Sequence, residues 1–215
     1  RVDAWRERIE REDSALAISG QVETADGRRL AVDLHQRLAS QQIYREENHL
    51  RIGDPALVDP LVIDTGGDGV RLSGGQVDFD LDADGARDTL PAFAADDLVL
   101  AIDRDGSGSI DDGTEFFGPR SGDGFAELRA LDDDGNGWIG ETDDAFARLQ
   151  VLRLGEHHGR GLAEAGVGAL SVQAARTPFA YREADGTRQA QLQASALALM
   201  ESGAARLLQQ VDLRA

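Results

Sequence analysis

The sequence predicts an α+β fold in which β-hairpin-rich lobes flank a loop-rich centre with two or three short helices. Three observations lead to this prediction. Apolar residues alternate with polar ones near both ends of the chain, acidic residues and glycines crowd its centre, and a hydrophobic fraction of 41% supports a packed core. We therefore divide the chain into residues 1–58, 59–152 and 153–215, and expect the last two to form one cooperative unit.

Residues 1–58 are predicted to be rich in β-strand. Apolar residues alternate with polar or small ones on both sides of Asp26-Gly27, a dipeptide typical of two-residue hairpin turns. We therefore expect two strands that pair as a hairpin. The alternating residues are Leu16, Ile18, Val22, Leu30, Val32 and Leu34.

Residues 166–213 return to strand-like alternation, and Asp185-Gly186 marks a second predicted turn. The centre, by contrast, contains two segments with helical character, Gly124–Leu131 and Asp143–Leu152. The last apolar residues of the chain are expected in the core. They are Leu207, Leu208, Val211 and Leu213.

The negative charge of the chain is concentrated in its centre. From Asp59 to Asp144 there are 23 acidic residues and five arginines, a difference equal to the net charge of -18 for the whole chain. Carboxylates at this density repel one another unless cations lie among them, and they also repel nucleic acid. The absence of cysteine excludes disulfides and thiolate zinc sites. No apolar run reaches the roughly 18 residues that predict a membrane span.

The segment Asp132–Asp143, here called the Asp132 loop, matches the template of a calcium-binding loop. A twelve-residue loop of this kind presents oxygen ligands from positions 1, 3, 5, 7, 9 and 12 and turns sharply at a glycine in position 6. Gly137 stands at position 6, and Ile139 is the apolar residue at position 8. Gly140 leaves position 9 to water. The predicted ligands are the side chains of Asp132, Asp134, Asn136 and Asp143 and the carbonyl of Trp138.

The segment Asp103–Glu115, the Asp103 loop, matches the same template with one additional residue. Glu115 stands at position 13 rather than 12, and a bulge at Asp112-Gly113 would still let it chelate with both oxygens. Ile110 corresponds to Ile139, so the two loops are expected to pair back to back. The predicted ligands are the side chains of Asp103, Asp105, Ser107, Asp111 and Glu115 and the carbonyl of Ser109.

Two further acidic segments match the template less completely. Within Asp78–Asp88, the Asp80 loop (Asp80–Asp88) offers Asp80, Asp82, Asp84, the Ala86 carbonyl and Asp88, but its position 12 is Pro91. The Asp64 loop (Asp64–Gly69) offers only Asp64 and Asp68, because Gly66 occupies position 3. The loop-rich centre is therefore predicted to be EF-hand-like and calcium-binding, with two Ca2+ sites and a third candidate in the Asp80 loop.

Four motifs occur in the order and spacing seen in repeats-in-toxin (RTX) proteins. They are DPLVIDTGGDGVRLS, VDFDLDADG, DDLVLAIDRDGSGSIDDGTEFFG and DGFAELRALDDDGNGWIGETDDAFARLQVL. The series resembles the calcium-binding self-processing module of iron-regulated toxin-like proteins and covers roughly residues 59–175. The resemblance implies calcium-dependent folding, an extracellular or cell-surface location and, in some members, self-cleavage at an Asp-Pro bond.

The bond between Asp59 and Pro60 stands at the position of that cleavage. An aspartate carboxyl can attack its own backbone carbonyl through a short ring, and a prolyl nitrogen is a comparatively good leaving group. In the family the resulting anhydride can react with a lysine amine to form a crosslink. This chain has no lysine, so a crosslink would need the amine of a partner, and hydrolysis would otherwise follow.

The sequence therefore leads to a calcium-binding structural module of a bacterial RTX-like protein. Calcium-dependent autocatalytic cleavage between Asp59 and Pro60 is the alternative, which would make the chain an enzyme acting on itself. A second alternative is a dockerin-like module that holds a protein partner through an exposed apolar face on Phe125–Leu131 or Ala145–Leu152. The sequence does not identify such a partner.

Overall fold

The structure, a computed structural model, describes residues 6–23, 29–46, 57–183 and 186–214. The fold is nearly all antiparallel β, with 51% strand and 5% helix, and its main sheet curls into a half-barrel. The predicted α+β fold with two or three short helices is therefore wrong. The acidic centre is built from loops between strands, with a single short α-helix and a one-turn 3-10 helix (Gly113–Glu115) among the described residues.

The N-terminal part of the chain forms a long two-stranded ribbon. Strands β1 (Arg6–Glu23) and β2 (Arg29–Glu46) pair antiparallel over their whole length, with Glu23 opposite Arg29. The alternating residues Val32, Ile18 and Leu34 pack against the main sheet at Leu197 and Leu199. The predicted Asp26-Gly27 turn lies outside the described residues, as does Asp185 of the second predicted turn.

Ten strands make up the main sheet within the described residues. Their bounds are β3 (Leu57–Val58), β4 (Leu61–Asp64), β7 (Asp97–Ile102), β8 (Trp138–Ile139), β9 (Leu149–Leu152), β10 (Arg160–Gly161), β11 (Val167–Ser171), β12 (Ala175–Arg182), β13 (Arg188–Met200) and β14 (Ala205–Arg214). The order across the sheet is β10-β9-β7-β4-β14-β13-β11-β8, with β12 beside β13 and β3 beside β14. Strands β5 (Leu72–Phe79) and β6 (Asp88–Phe93) form a separate antiparallel pair.

Apolar side chains pack on both faces of the main sheet. In β4, Leu61 and Ile63 belong to one buried cluster, whereas Val62 belongs to another. Fully burying an apolar side chain of this size contributes about 1.5–3 kcal/mol to the free energy of unfolding. Strand β14 lies directly beside β4, and its predicted core residues Leu208 and Val211 are fully buried. Strands β4 and β14 are therefore held in the core, and they fix the positions of the residues just before and after them in the chain.

One predicted helix exists and the other does not. Helix α1 spans Gly124–Arg129, and its N-cap Asp123 accepts a hydrogen bond from the Ala126 N–H. The predicted helix Asp143–Leu152 instead forms turns followed by strand β9, which pairs with β7. Its apolar spacing suits a short strand as well as a helix, and pairing with a buried strand decides between them. Within the described ranges no helix is long and apolar enough to cross a membrane.

The acidic loops are held by these elements. The Asp64 loop begins at the last residue of β4, and the Asp80 loop connects β5 to β6. The Asp103 loop follows β7, and the Asp132 loop follows α1 closely and contains β8. Each acidic segment thus begins at or just after the end of a strand or helix, which fixes the start of the loop in space.

Candidate functional site

The first aspartate of each acidic loop folds the loop around itself. Asp103 accepts hydrogen bonds from the N–H groups of Gly106 and Gly108, at 2.7 and 2.9 Å. Asp132 accepts from Asn136 and Gly137 at 3.2 and 2.9 Å. Asp80 makes the same kind of contacts with Asp84 and Gly85, and Asp64 with Gly67 and Gly69. Four segments that differ in sequence therefore share one local fold.

Side chains at positions 3 and 5 repeat the arrangement. In the Asp103 loop, Asp105 accepts from the Ser107 N–H at 2.8 Å and Ser107 accepts from the Ser109 N–H at 3.2 Å. The equivalent acceptors are Asp134 and Asn136 in the Asp132 loop and Asp82 and Asp84 in the Asp80 loop. These short-range bonds turn successive side-chain oxygens toward the inside of each loop.

Positions 4 and 6 of the loops require a left-handed backbone. Position 4 has a φ of 77° at Gly106 and 69° at Gly135, and position 6 has similar values at Gly108 and Gly137. Glycine adopts this conformation without a steric penalty. The Asp80 loop departs from the pattern, because Ala83 stands at position 4 with a φ of 60°.

Glu115 and Asp143 close their loops in the same way despite their different lengths and positions. Glu115 accepts from the N–H groups of Arg104 and Asp111, at 3.2 and 2.7 Å. Asp143 accepts from the equivalent residues, Asp133 and Gly140, both at 2.8 Å. Both carboxylates are 3% exposed. The longer side chain of Glu115 thus offsets the extra residue in its loop.

Three groups of carboxylates have oxygens that lie within 4.8 Å of one another. Oxygen atoms at this spacing are the donor set that a hard divalent cation such as Ca2+ takes. The residues present therefore suit such an ion. The groups are Asp80, Asp82 and Asp84; Asp103, Asp105 and Glu115; and Asp132, Asp134 and Asp143.

Other predicted ligands lie beside these groups. The Ser107 hydroxyl donates to the Ser109 carbonyl at 3.2 Å and lies 3.5 Å from Asp111, so three predicted ligands of the Asp103 loop are together. Asp88 has one buried carboxylate oxygen without a hydrogen-bond partner. Burial and the neighbouring charge of Asp82 raise the pKa of the Asp88 carboxyl. A cation beside the Asp80 loop would satisfy that oxygen.

The Asp64 loop has the same backbone but a different charge balance. Asp68 forms an ion pair with Arg71 at 3.1 Å, and Arg71 also contacts Asp96 at 3.3 Å. A side chain at position 66 would collide with Asp96, whose Oδ2 lies 2.1 Å from the place of its Cβ. Among the described residues no third carboxylate joins Asp64 and Asp68 in a metal-sized group. An arginine supplies the positive charge at this loop.

The expected back-to-back pairing of the two best-matching loops is wrong. Ile139 pairs with Leu170 in β11, whereas the Ile110 N–H donates to the carbonyl of His157 at 2.8 Å. The two isoleucines also belong to different buried clusters. Each loop is therefore bound to the β framework separately.

The apolar faces that a dockerin-like module would expose are buried. Phe125 and Leu128 of α1 pack in the main core, as does Phe146 in the segment after the Asp132 loop. Ala145 is 2% exposed. Nothing in these two segments offers an apolar docking face.

The bond between Asp59 and Pro60 is enclosed by two distant parts of the chain, strand β14 and the segment around Gly118. Asp59 is 7% exposed, and its Oδ2 accepts from Gln210 Nε2 at 2.5 Å. The Val211 N–H donates to the Pro60 carbonyl at 3.1 Å. Gly118 lies against the Asp59 carbonyl so closely that a Cβ there would be 1.9 Å from its oxygen. Burial, together with the negative charge of Asp212, raises the pKa of the Asp59 carboxyl to about 7.

Sequence reasoning missed Gln210 and Asp212. Both lie in β14, where the apolar pattern predicted only core residues. The available signal was the polar residues Gln209, Gln210 and Asp212 within an otherwise apolar strand, since buried polar groups need partners. The partner of Gln210 lies 151 positions away in the sequence, so local pattern cannot identify it.

Comparison with known proteins links the chain to one family. A family model described as the SPM domain matches residues 61–213. Iron-regulated protein FrpA of Neisseria meningitidis serogroup C is 34% identical over an alignment of 113 positions, which covers 47% of this chain and 10% of FrpA. The aligned part is thus about a tenth of that relative's length, and it links the chain to the iron-regulated RTX-type proteins that its motifs resemble. Because the family model covers well over half of its residues, this chain belongs to the SPM domain family.

Proposed function

We propose that this chain is a calcium-binding structural module whose folding is coupled to Ca2+, and that it forms part of a bacterial RTX-like protein outside the cell or at its surface. The observation that carries the proposal is the repeated loop geometry. Three separate loops have the same backbone arrangement, and each brings a group of carboxylates together. The Asp103 and Asp132 loops are the two principal sites. The Asp80 loop is the third.

Calcium stabilises such a module by two effects. It removes the repulsion among carboxylates that the loops hold within 4.8 Å of one another. It also binds the folded loops better than the unfolded chain, which adds about 2.7 kcal/mol per site at a calcium concentration of about 100 times the dissociation constant. Sites of the extracellular class, with dissociation constants of about 10⁻⁴–10⁻³ M, would be filled only outside the cell.

The proposal is tested by thermal unfolding followed by circular dichroism, first in chelator and then in millimolar calcium. We expect calcium to raise the melting temperature and sharpen the transition. The double variant Asp132→Asn/Asp134→Asn should lose a large part of this shift. Glu164→Gln, which removes one exposed charge away from the loops, should keep the full shift. A melting temperature that is identical with and without calcium would contradict the proposal.

Self-cleavage between Asp59 and Pro60 is a second candidate function, favoured by the enclosed geometry of that bond. The Asp59 carboxyl is buried beside its own backbone, and its raised pKa keeps a proton on it near neutral pH. In the proposed step, a carboxyl oxygen bonds to the Asp59 carbonyl carbon and the bond to the prolyl nitrogen breaks. The carboxyl proton ends on that nitrogen. Water then opens the five-membered cyclic anhydride to two carboxylic acid groups.

The intact mass of the denatured chain tests this second candidate after incubation with calcium. We expect fragments that end at Asp59 and begin at Pro60, and none from Asp59→Ala. A chain that remains whole after long incubation would count against self-cleavage, but would leave the calcium-binding proposal unaffected.

A further inference from the structure

We propose that strand β14 positions the Asp59-Pro60 bond for self-cleavage, with Gln210 as the residue that orients the Asp59 carboxyl. This inference rests on the second candidate function above. Gln210 is a positioning residue, because the bonds that form and break all belong to Asp59 and Pro60.

Strand β14 contacts the bond from two consecutive residues. Gln210 pairs with Leu61 in the register of β14 and β4, and its side chain reaches back to Asp59. The next residue, Val211, donates its N–H to the Pro60 carbonyl at 3.1 Å. One strand therefore fixes the attacking carboxyl and the residue that carries the leaving nitrogen at the same time.

The Gln210 amide is itself held in place. Its Nε2 donates to Asp59 Oδ2 at 2.5 Å and to the Gly122 carbonyl at 3.2 Å, so both of its N–H groups have acceptors. Gln210 is 6% exposed, which restricts its rotation. Because Gln210 binds Oδ2, the other carboxyl oxygen is the one left for attack on the backbone carbonyl.

The segment on the opposite side completes the enclosure. Gly118 has a φ of 115° and lies against the Asp59 carbonyl, where no larger residue fits. The Leu61 N–H donates to the Phe117 carbonyl at 3.1 Å. The peptide that breaks is therefore held between Phe117–Gly118 and β14. Fixing reacting groups in this way removes much of the entropic barrier to an intramolecular attack.

Charges around Asp59 act in opposite directions on its proton. Burial has the largest effect on the pKa of the Asp59 carboxyl. Together with the negative charges of Asp212 and Glu127 it favours the protonated form, whereas the hydrogen bond from the Gln210 N–H favours the ionised form. Asp212 is itself bound by Gln193, lies near Arg188 and has one buried oxygen without a partner. Removing the Gln210 amide should therefore raise the pH at which Asp59 loses its proton. The protonated form carries the proton that the prolyl nitrogen needs, so cleavage should slow as the pH rises through about 7.

The test measures fragment formation by mass spectrometry from pH 5 to 9 in saturating calcium, on the full chain. Gln210→Met should slow cleavage at low pH by a factor on the order of 10–100, because a misplaced group costs this much. The pH at which the cleavage rate of Gln210→Met falls to half, its pH midpoint, should also be higher than in the wild type. Gln210→Glu, which keeps the side-chain volume, should move the midpoint upward as well and serves if the Met variant folds poorly.

Gln209→Met is the matched control. Gln209 is the neighbouring buried glutamine of β14, and its amide contacts Ser195 and Gln36 rather than Asp59. A general loss of packing would slow cleavage equally in both Met variants and would leave the pH midpoint unchanged, which would overturn the role of Gln210. Wild-type cleavage with an unaffected Gln210→Met would overturn it too. A wild-type chain that stays uncut at every pH would overturn self-cleavage itself, and the positioning role with it.

Discussion

Glu115 and Asp143 show how single residues adapt one loop geometry to two loops of different length. The carboxylates differ by one methylene and by one position, yet both accept from loop positions 2 and 9. The spacing that predicts these carboxylates can be read from one short stretch of sequence, because a metal-binding loop brings oxygens at alternate positions together. Residue types and spacing therefore predicted the members of the three carboxylate groups, but not the ion pair of Asp68 with Arg71, and the binding of an ion stays a prediction.

Ala83 is the residue whose substitution most directly tests the loop backbone. It occupies a left-handed conformation that costs a non-glycine residue about 1–2 kcal/mol. We expect Ala83→Gly to raise the free energy of unfolding by about 1 kcal/mol in calcium, as measured by urea denaturation. The control Ala86→Gly, at an ordinary backbone position of the same loop, should lower it by about 0.5–1 kcal/mol. A loss of stability in both variants would show that no strain exists at Ala83.

The pH dependence of stability tests the environment of Asp59. Its pKa rises from 3.8 unfolded to about 7 folded, so the folded chain binds an additional proton between these values. The resulting stabilisation is fully present below pH 3.8 and is lost as the pH rises through about 7. Asp59→Asn cannot bind this proton. Between pH 4 and 8 its free energy of unfolding should therefore fall by less than that of the wild type, the difference being up to about 4 kcal/mol. Parallel pH profiles of the two proteins in urea denaturation would contradict a buried Asp59.

At the scale of elements, local pattern predicted the paired strands better than the helices. Alternation around residues 16–34 corresponds to the β1–β2 ribbon, and the N-cap Asp123 precedes a real helix. The segment Leu149–Leu152 reads as helix from its spacing, but it pairs with β7 inside the core. Sheet pairing joins residues that are distant in sequence, so it cannot be derived from a short window.

Gly118 tests the contact between two such distant elements. Its Cβ would lie 1.9 Å from the Asp59 carbonyl oxygen, and its φ is 115°. We expect Gly118→Ala to lower the melting temperature markedly and to slow any cleavage after Asp59. Gly122→Ala is the control, since its φ of 74° is also left-handed but its Cβ would have no atom within 4 Å. Equal losses in both variants would mean that backbone strain alone, and not the approach of Asp59, makes glycine necessary.

At the scale of the whole molecule, the charge distribution and the fold explain each other. The acidic loops follow strands or a helix that pack on the apolar core, and most of their carboxylates are exposed or half-buried, whereas Asp64, Glu115 and Asp143 are buried. Composition predicted a packed core and a charged centre, but it did not predict a nearly all-β half-barrel. The arrangement of the sheet depends on β14, which pairs with β3 and β4 on either side of Asp59-Pro60 and so joins them to the C-terminal strands.

The central claim is that the acidic loops bind calcium, and native mass spectrometry tests it most directly. The chain would be measured after chelator treatment and again in millimolar calcium, alongside the Asp132→Asn/Asp134→Asn variant. We predict two bound ions, or three if the Asp80 loop is filled, and one ion fewer in the variant. A wild-type chain that binds no calcium, or a variant that binds as many ions as the wild type, would contradict the assignment of these loops.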